Sequence, residues 1–495
     1  MWQRYLAAIA GGAILPLAFA PFGIWPVAIV SPAVLLLVIR GISMSRAALA
    51  GWLYGLGMFG CGVWWVQVSI HQFGVPYYAF SVSVTAVLIA GMACYPALFA
   101  GLMNAHSPRQ ETGRLILSAP ALWVLAEWLR ATLFSGFPWL SLGYSQIDSP
   151  LAGFVPIAGI YGCSLVVVAI AAAVVALVFS TLKVRVAFAI AIGAIVLGGE
   201  RLTHINWTRA AGPKLTVVLV QGAVPQAIKW HDDVRQPTLE LYQSLTEPHW
   251  DADIVIWPET AIPAFPFEVP ETIQALQDRA SETNTDLLIG ILSGEPWNKR
   301  YFNSIIDLGS TPGRYDKRHL VPFGEVFPIK GLLRDLALLL DIPMSDFTPG
   351  REDQTTVEVA GYAAGLSICY EDAFPREIAR ALPDAAFLVN VSNDAWFGDT
   401  IAPHQHLEIA RMRALETGRY LLRGTNTGIT AVIDHRGNIV AQSAQFEPNS
   451  LRASLSPRTG VTPYTRLGDR PLLAVLFLVV VLTAIASRRR AVRKD

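Results

Sequence analysis

The sequence is poor in charge and in cysteine. Asp, Glu, Lys and Arg make up only 15% of its 495 residues, where a soluble domain carries about 25%. Lys plus Arg and Asp plus Glu each number 38, so the net charge is +0. Without a basic surplus, the composition gives no argument for nucleic acid as a partner. Cysteines number four. Cys61, Cys94 and Cys163 fall in long apolar stretches, where Cys behaves as a small apolar residue. Cys369 stands apart from them in the more polar part of the chain. It is either a reactive thiol or a buried core residue, and its isolation alone does not choose between the two.

The missing charge is missing locally. Residues 1–200 hold few charges, whereas 201–460 have an ordinary globular composition. Hydrophobic residues reach 53%, and mean hydropathy is +0.42. A membrane span needs about 20 mostly apolar residues. Seven stretches before residue 201 qualify as candidates: 5–20, 24–42, 47–66, 77–104, 114–134, 151–181 and the shorter 184–199. An eighth covers 470–487. Helices are the expected form, because lipid offers no water to exposed backbone groups. Arg4 and the segment Ala18-Phe19-Ala20 imitate a signal peptide, but Pro21 and the immediate next span argue for a retained helix.

Positive residues mark the cytoplasmic side. Arg4 is at the N-terminus, and Arg40 with Arg46, Arg109 with Arg114, and Lys183 with Arg185 occupy alternate loops. Arg488, Arg489, Arg490, Arg493 and Lys494 end the chain. The intervening loops near 21–25, 67–76 and 135–150 hold no Lys or Arg. The alternation puts both termini in the cytoplasm and 201–469 outside. The expected domains are a membrane part (1–200), an external domain (215–455) and a last span (470–487).

Within 215–455, apolar strand-like runs alternate with amphipathic helical ones. Strands are expected at 215–221, 253–257, 286–292, 303–308, 357–370, 386–391 and 429–434, and helices at 236–245, 273–283 and 406–417. Asp434-His435-Arg436-Gly437 reads as a hairpin turn. The pattern predicts a layered α/β domain.

Three segments have residues suited to catalysis. Glu259 follows Trp257-Pro258 at a strand end, where proline stops the hydrogen-bond ladder. A carboxylate fixed there serves as a general base, or merely bonds to a loop. Lys317, in Tyr315-Asp316-Lys317-Arg318-His319, stabilises an oxyanion or belongs to a solvated loop. Cys369 ends an apolar run before Tyr370-Glu371-Asp372. At a strand-to-helix turn, nearby N–H groups would lower its pKa and form an oxyanion hole.

Glu, Lys and Cys, each at the end of an expected strand and in that chain order, resemble the nitrilase (carbon–nitrogen hydrolase) superfamily. The Gln221 strand and Asn390-Val391-Ser392-Asn393-Asp394 add to the resemblance, which implies an αββα sandwich and a catalytic triad of Glu259, Lys317 and Cys369. Set between seven N-terminal spans and one C-terminal span, such a domain is similar to the bacterial apolipoprotein N-acyltransferase family. Phe19-Ala20-Pro21-Phe22-Gly23, Gly136-Phe137-Pro138-Trp139-Leu140, the Val220–Trp230 stretch and Pro322-Phe323-Gly324-Glu325 support this. The fold class is thus a multi-span α-helical membrane bundle plus a nitrilase-like αββα domain.

That resemblance implies acyl transfer in two steps, through a thioester on Cys369. The donor would be a phospholipid, phosphatidylethanolamine by preference, and the acceptor a diacylglyceryl-cysteine at a lipoprotein N-terminus. Trp230, Glu325, Tyr370 and Glu371 are the expected substrate-binding residues, and no cofactor or metal is expected. Since both substrates are lipids, the site should lie near the membrane surface. Residues 331–340 and the side chains of Phe265 and Phe267 are lipid-contacting candidates, against a core role. His404 and His406 have a metal-compatible spacing but lack further ligands nearby. Glu127 and Arg130, inside a span, are functional or simply paired. The competing reading is a membrane-tethered amidase with a small substrate; a non-enzymatic binding protein is a third.

Overall fold

The computed structural model describes every residue except 75–76, 106–111, 296, 298–299, 323, 327–346 and 493–495. The chain divides into two units. One comprises Met1–Gln67, Tyr77–Ile205 and Arg466–Asp495, and the other Val68–Pro76 and Asn206–Thr465. The candidate arm at 331–340 lies outside the described residues.

The first unit is helical. Its helices run over Trp2–Ile14, Val27–Val38, Met44–Gly62, Tyr78–Met92, Cys94–Asn104, Thr112–Arg130, Val155–Phe179, Leu182–Thr203 and Arg470–Val492. A helix occupies each of the eight stretches expected to be apolar spans. Among the described residues three helical stretches are long and apolar enough to cross a membrane: Tyr78–Asn104, Pro150–Phe179 and Leu182–Thr203. Met44–Gly62 and Val66–Phe73, bent by 58° at their junction, make a fourth if they act as one. Val27–Val38 is apolar but shorter.

Glycine governs the helix contacts. A Cβ on Gly12 would strike the Tyr54 carbonyl, and one on Gly57 the Ile9 carbonyl. Trp2–Ile14 and Met44–Gly62 therefore meet backbone to backbone, as small residues allow. Glu127 and Arg130 are both buried. Leu142 N donates to Glu127 Oε1 at 2.8 Å, and Arg130 Nη2 donates to Ser141 Oγ at 3.1 Å. Their polarity anchors the segment that follows their own helix.

The second unit is built on strands β1 (Arg209–Ala210), β2 (Leu215–Gln221), β3 (Ile254–Ile256), β4 (Asp286–Glu295), β5 (Arg300–Asp307), β6 (Gly313–Asp316), β7 (Val357–Val359), β8 (Tyr362–Ile368), β9 (Phe387–Ser392), β10 (Leu421–Thr425), β11 (Ala431–Ile433), β12 (Ile439–Gln442), β13 (Asn449–Leu455) and β14 (Arg458–Thr459). Two six-stranded sheets result, in the orders β13-β2-β3-β4-β5-β6 and β12-β11-β10-β9-β8-β7. The centre of each is parallel: β2, β3 and β4 in the first, β8, β9 and β10 in the second. Parallel strands are covered on both faces, which is why β2 and β9 are apolar almost throughout.

Val217, Leu219, Ile254 and Ile256 from the first sheet share one core with Ile368, Val389, Val391 and Leu422 from the second. Helices Asp232–Thr246 and Pro270–Thr283 bury Leu239, Tyr242, Leu276 and Ala280 against the first sheet's outer face. Helix Ala402–Thr417 covers the second with Leu407, Ala410 and Ala414. The order helix, sheet, sheet, helix is the expected αββα sandwich, and each fully buried Leu, Ile or Val adds roughly 1.5–3 kcal/mol to its stability.

One expected element is corrected. The run 357–370 is not a single strand. Ala360 and Gly361 have φ of 50° and 75°, and they turn the chain back so that Val359 pairs with Tyr362. This is a two-residue hairpin, whose turn needs left-handed backbone at both positions.

Candidate active site

The first sheet supplies the charged groups. The Trp257 N–H donates to the Leu288 carbonyl at 2.8 Å; Pro258 has no N–H to continue, and the chain turns away. Trp257 is fixed by Nε1 donating to Thr246 Oγ1 at 2.9 Å and by stacking on Tyr242 at 5.0 Å. Glu259 follows, 6% exposed, then Thr260 with φ of 47°. Beyond β6, Lys317 N donates to the Asn303 carbonyl at 2.8 Å. This extends the strand pairing by one step and sets the Lys317 side chain, 1% exposed, among acceptors.

Lys317 Nζ lies 2.8 Å from Glu325 Oε1 and 3.4 Å from Glu259 Oε1. Asn303 Nδ2 donates to the same two oxygens, at 3.1 Å and 2.7 Å. Val321 N holds the other Glu325 oxygen at 2.9 Å. Burial alone would lower the Lys317 pKa, but the Glu325 and Glu259 carboxylates outweigh it and raise it. Lys317 therefore stays an ammonium shared by two carboxylates.

The second sheet supplies the thiol. β8 ends at Ile368, and Cys369 turns out of it with φ of 53° into a short 3-10 helix, Cys369–Ala373. Burial first, then the Glu259 carboxylate, pushes the Cys369 pKa up, while Lys317 pulls it down. The thiol is therefore protonated at rest and needs a base. Glu259 and Lys317 are the two charges that act most strongly on it.

Glu371 joins the two sheets. The Tyr315 hydroxyl donates to it at 2.9 Å, Arg318 N at 2.7 Å, His319 N at 3.1 Å and Ile368 N at 2.7 Å. It is 1% exposed and both its oxygens are engaged. Glu371 thus ties the Lys317 segment to the Cys369 turn by hydrogen bonds. Glu325 likewise touches Lys317 directly. The half-buried Tyr370 ring packs on Phe374 at 5.0 Å and His319 at 5.9 Å.

Trp230 is half-buried, and its indole N–H has no hydrogen-bond partner among the described residues. Its loop is pinned where Asn393 Nδ2 donates to Gln226 Oε1 at 2.7 Å and Val224 N to Asn426 Oδ1 at 3.0 Å. Next to it, Lys229 is buried and donates to the Glu259 carbonyl at 3.2 Å and to Thr260 Oγ1 at 2.8 Å. Burial draws its pKa down to about 8 against the pull of Glu259. Phe265 stacks on Phe267 at 5.2 Å, and Phe267 is exposed, not core.

His404 and His406 do not converge. His404 Nε2 is 3.4 Å from Gln445 Nε2, whereas His406 lies between Asp372 and Asp394. Asn303, Lys229 and these aspartates were missed as site residues. Asn303 had a legible signal, an amide inside the apolar run of β5. Lys229 had none beyond being polar, and the aspartates only their place in the segments Tyr370-Glu371-Asp372 and Asn390-Val391-Ser392-Asn393-Asp394.

Residues 11–173 match the family model of the apolipoprotein N-acyltransferase N-terminal domain, and 217–464 match that of carbon-nitrogen hydrolase. An apolipoprotein N-acyltransferase of Methylococcus capsulatus is 44% identical over 99% of this chain and 97% of its own. One of Coxiella burnetii is 44% identical over 96% of this chain and 99% of its own. One of Vibrio cholerae is 42% identical over 95% and 94%.

Proposed function

The chain belongs to the apolipoprotein N-acyltransferase family, and we propose that it moves a fatty acyl chain from a phospholipid to the N-terminal amine of a lipoprotein. The observation that carries this reading, beside the full-length relatives, is the buried Lys317 held by Glu259 and Glu325 next to a thiol that must lose its proton.

Glu259 takes the Cys369 proton, and the sulfur attacks the sn-1 ester carbonyl. Lys317 and backbone N–H groups near Tyr370 hold the tetrahedral oxyanion. The ester C–O bond breaks and the glycerol oxygen takes the proton back, releasing a lysophospholipid and leaving a thioester on Cys369. The α-amino group of a diacylglyceryl-cysteine then attacks. Glu259 accepts its proton, the C–S bond breaks, and the thiol regains a proton as the amide leaves. Phosphatidylethanolamine is the proposed donor. Trp230, with its unmatched indole N–H, and Tyr370 line the substrate path, while Glu325 and Glu371 keep Lys317 and Cys369 in place.

The protein is a multi-pass component of a bacterial inner membrane. Residues 1–200 and 470–487 form the membrane part, and 215–455 the catalytic domain outside the cytoplasm with both termini inside. The alternation of Lys and Arg among the loops supports this orientation.

The test is an assay in detergent with phosphatidylethanolamine and a diacylglyceryl peptide. Equal amounts of lysophospholipid and N-acylated peptide are the expected products. Hydrolysis of small amides, with phospholipid untouched, would instead identify the tethered amidase.

A further inference from the structure

Four charged side chains that the mechanism does not use meet beneath the nucleophile turn. Asp372 lies in that turn, Asp394 in the turn after β9, His406 in the helix Ala402–Thr417 and Arg423 in β10. None is more than 1% exposed. His406 Nδ1 is 2.9 Å from Asp394 Oδ1, and Nε2 is 3.0 Å from Asp372 Oδ1. Arg423 spans the remaining oxygens: Nη1 is 3.2 Å from Asp372 Oδ2, and Nη2 is 2.9 Å from Asp394 Oδ2. With a carboxylate oxygen at each ring nitrogen, His406 donates from both and is an imidazolium. Burial and Arg423 oppose that charge, but Asp372 and Asp394 prevail and raise its pKa to about 9. Two negative and two positive charges therefore cancel among fully buried side chains.

Two observations tie this cluster to Cys369. The Cys369 carbonyl accepts from Asn390 Nδ2 at 3.2 Å and faces His406 Nε2 at 3.4 Å. That carbonyl belongs to a residue with φ of 53°, a left-handed conformation that persists only when its surroundings hold it. The Asp394 charge also acts on the thiol, raising its pKa alongside burial and Glu259.

We infer that His406 is a positioning residue for Cys369: its imidazolium fixes the carbonyl of the strained turn and cancels the Asp394 charge that faces the thiol. The inference rests on Cys369 being the nucleophile. The groups facing His406 are Asp372 from the turn, Asp394 from the end of β9 and Arg423 from β10; His404 and Glu408 are its titratable neighbours along its own helix. Below pH about 9 the cluster is neutral. Above it one carboxylate is uncompensated, and that opposes thiolate formation.

The experiment uses the full chain in detergent. Alkylation of Cys369 by iodoacetamide is followed against pH through the mass of its peptide, which separates it from the other cysteines. Below pH about 9, where the wild-type His406 is charged, His406→Gln should move the profile up by about one pH unit, so alkylation at fixed pH slows about tenfold; above it the two profiles should converge. Adding Asp394→Asn removes the uncompensated charge and should bring the profile at least halfway back. Asp394→Asn alone leaves an excess positive charge and should move the profile down; this variant decides the matter if His406→Gln does not fold. A His406→Gln profile that overlays the wild type, a double variant no nearer the wild type than the single one, or an Asp394→Asn profile that stays or rises would each overturn the inference. If wild-type Cys369 is alkylated but its peptide never gains an acyl mass from phospholipid, the nucleophile reading itself fails, an outcome read separately from the alkylation profiles.

Discussion

The two sheets furnish the site in opposite ways. The first brings two carboxylates, Glu259 and Glu325, onto one ammonium, Lys317, with Asn303 as a neutral clamp. The second sets its thiol over two carboxylates matched by two cations, Asp372 and Asp394 against His406 and Arg423. The second cluster is fully buried; in the first, Glu259, Lys317 and Asn303 are buried and Glu325 is half-buried. In a dry interior a matched cluster resists any change of protonation, because each loss leaves an uncompensated charge. The first cluster has a second cation close by, Lys229, which bonds the Glu259 carbonyl rather than a carboxylate and whose pKa burial draws down to about 8, so its balance can change near neutral pH. On the proposed mechanism, the side that moves protons is the one whose balance can change, and the side that only has to hold still is fixed.

The comparison breaks most violently at Lys317. Lys317→Met leaves the buried Glu259 and the half-buried Glu325 carboxylates without their cation, and should cost about 3 kcal/mol of stability, with acyl transfer reduced beyond detection. Thermal unfolding and lysophospholipid release check both. Glu259→Gln should separate chemistry from stability. It keeps shape and hydrogen-bonding capacity, so the melting temperature holds while kcat falls on the order of 10²–10⁴-fold. An equal loss of stability in the two variants would erase the distinction between the structural demand on Lys317 and the chemical one on Glu259.

The balanced side should announce itself through pH. The His406 pKa is raised from 6.5 to about 9. Its ion pairs therefore contribute stability in full below 6.5, and that contribution is lost as pH rises through about 9. Urea unfolding of the full chain at a series of pH values should show this decline, and His406→Gln should flatten it. The smallest effect belongs to the joint between the sheets. Tyr315→Phe removes one donor to Glu371, which keeps three backbone N–H partners, so about 1 kcal/mol is expected, with kcat reduced only slightly.

Some of this was readable in the sequence for a plain physical reason. Glu259 and Cys369 each end an apolar run, and strands buried on both faces leave such ends conspicuous; Lys317, inside a charged cluster, stood out only together with the other two. The sandwich was readable through the same strands, β2, β4 and β9 above all. The hairpin between β7 and β8 was hidden, because Ala360 takes a left-handed backbone without announcing it. β10 was hidden because Arg423 reads as a surface residue until its aspartates, 29 and 51 positions away, are brought to it. Glu371 stood out by its place beside the thiol, but only coordinates show that both its oxygens are engaged within the protein.

The central claim is that Cys369 carries the acyl group, and the mass of the protein reads it directly. Full-length protein given phosphatidylethanolamine without any amine acceptor should gain one fatty-acyl mass on the Cys369 peptide. The adduct should be removed by hydroxylamine and absent from Cys369→Ala. Lysophospholipid accumulating while that peptide stays unmodified, or an adduct that survives in Cys369→Ala, would contradict the account.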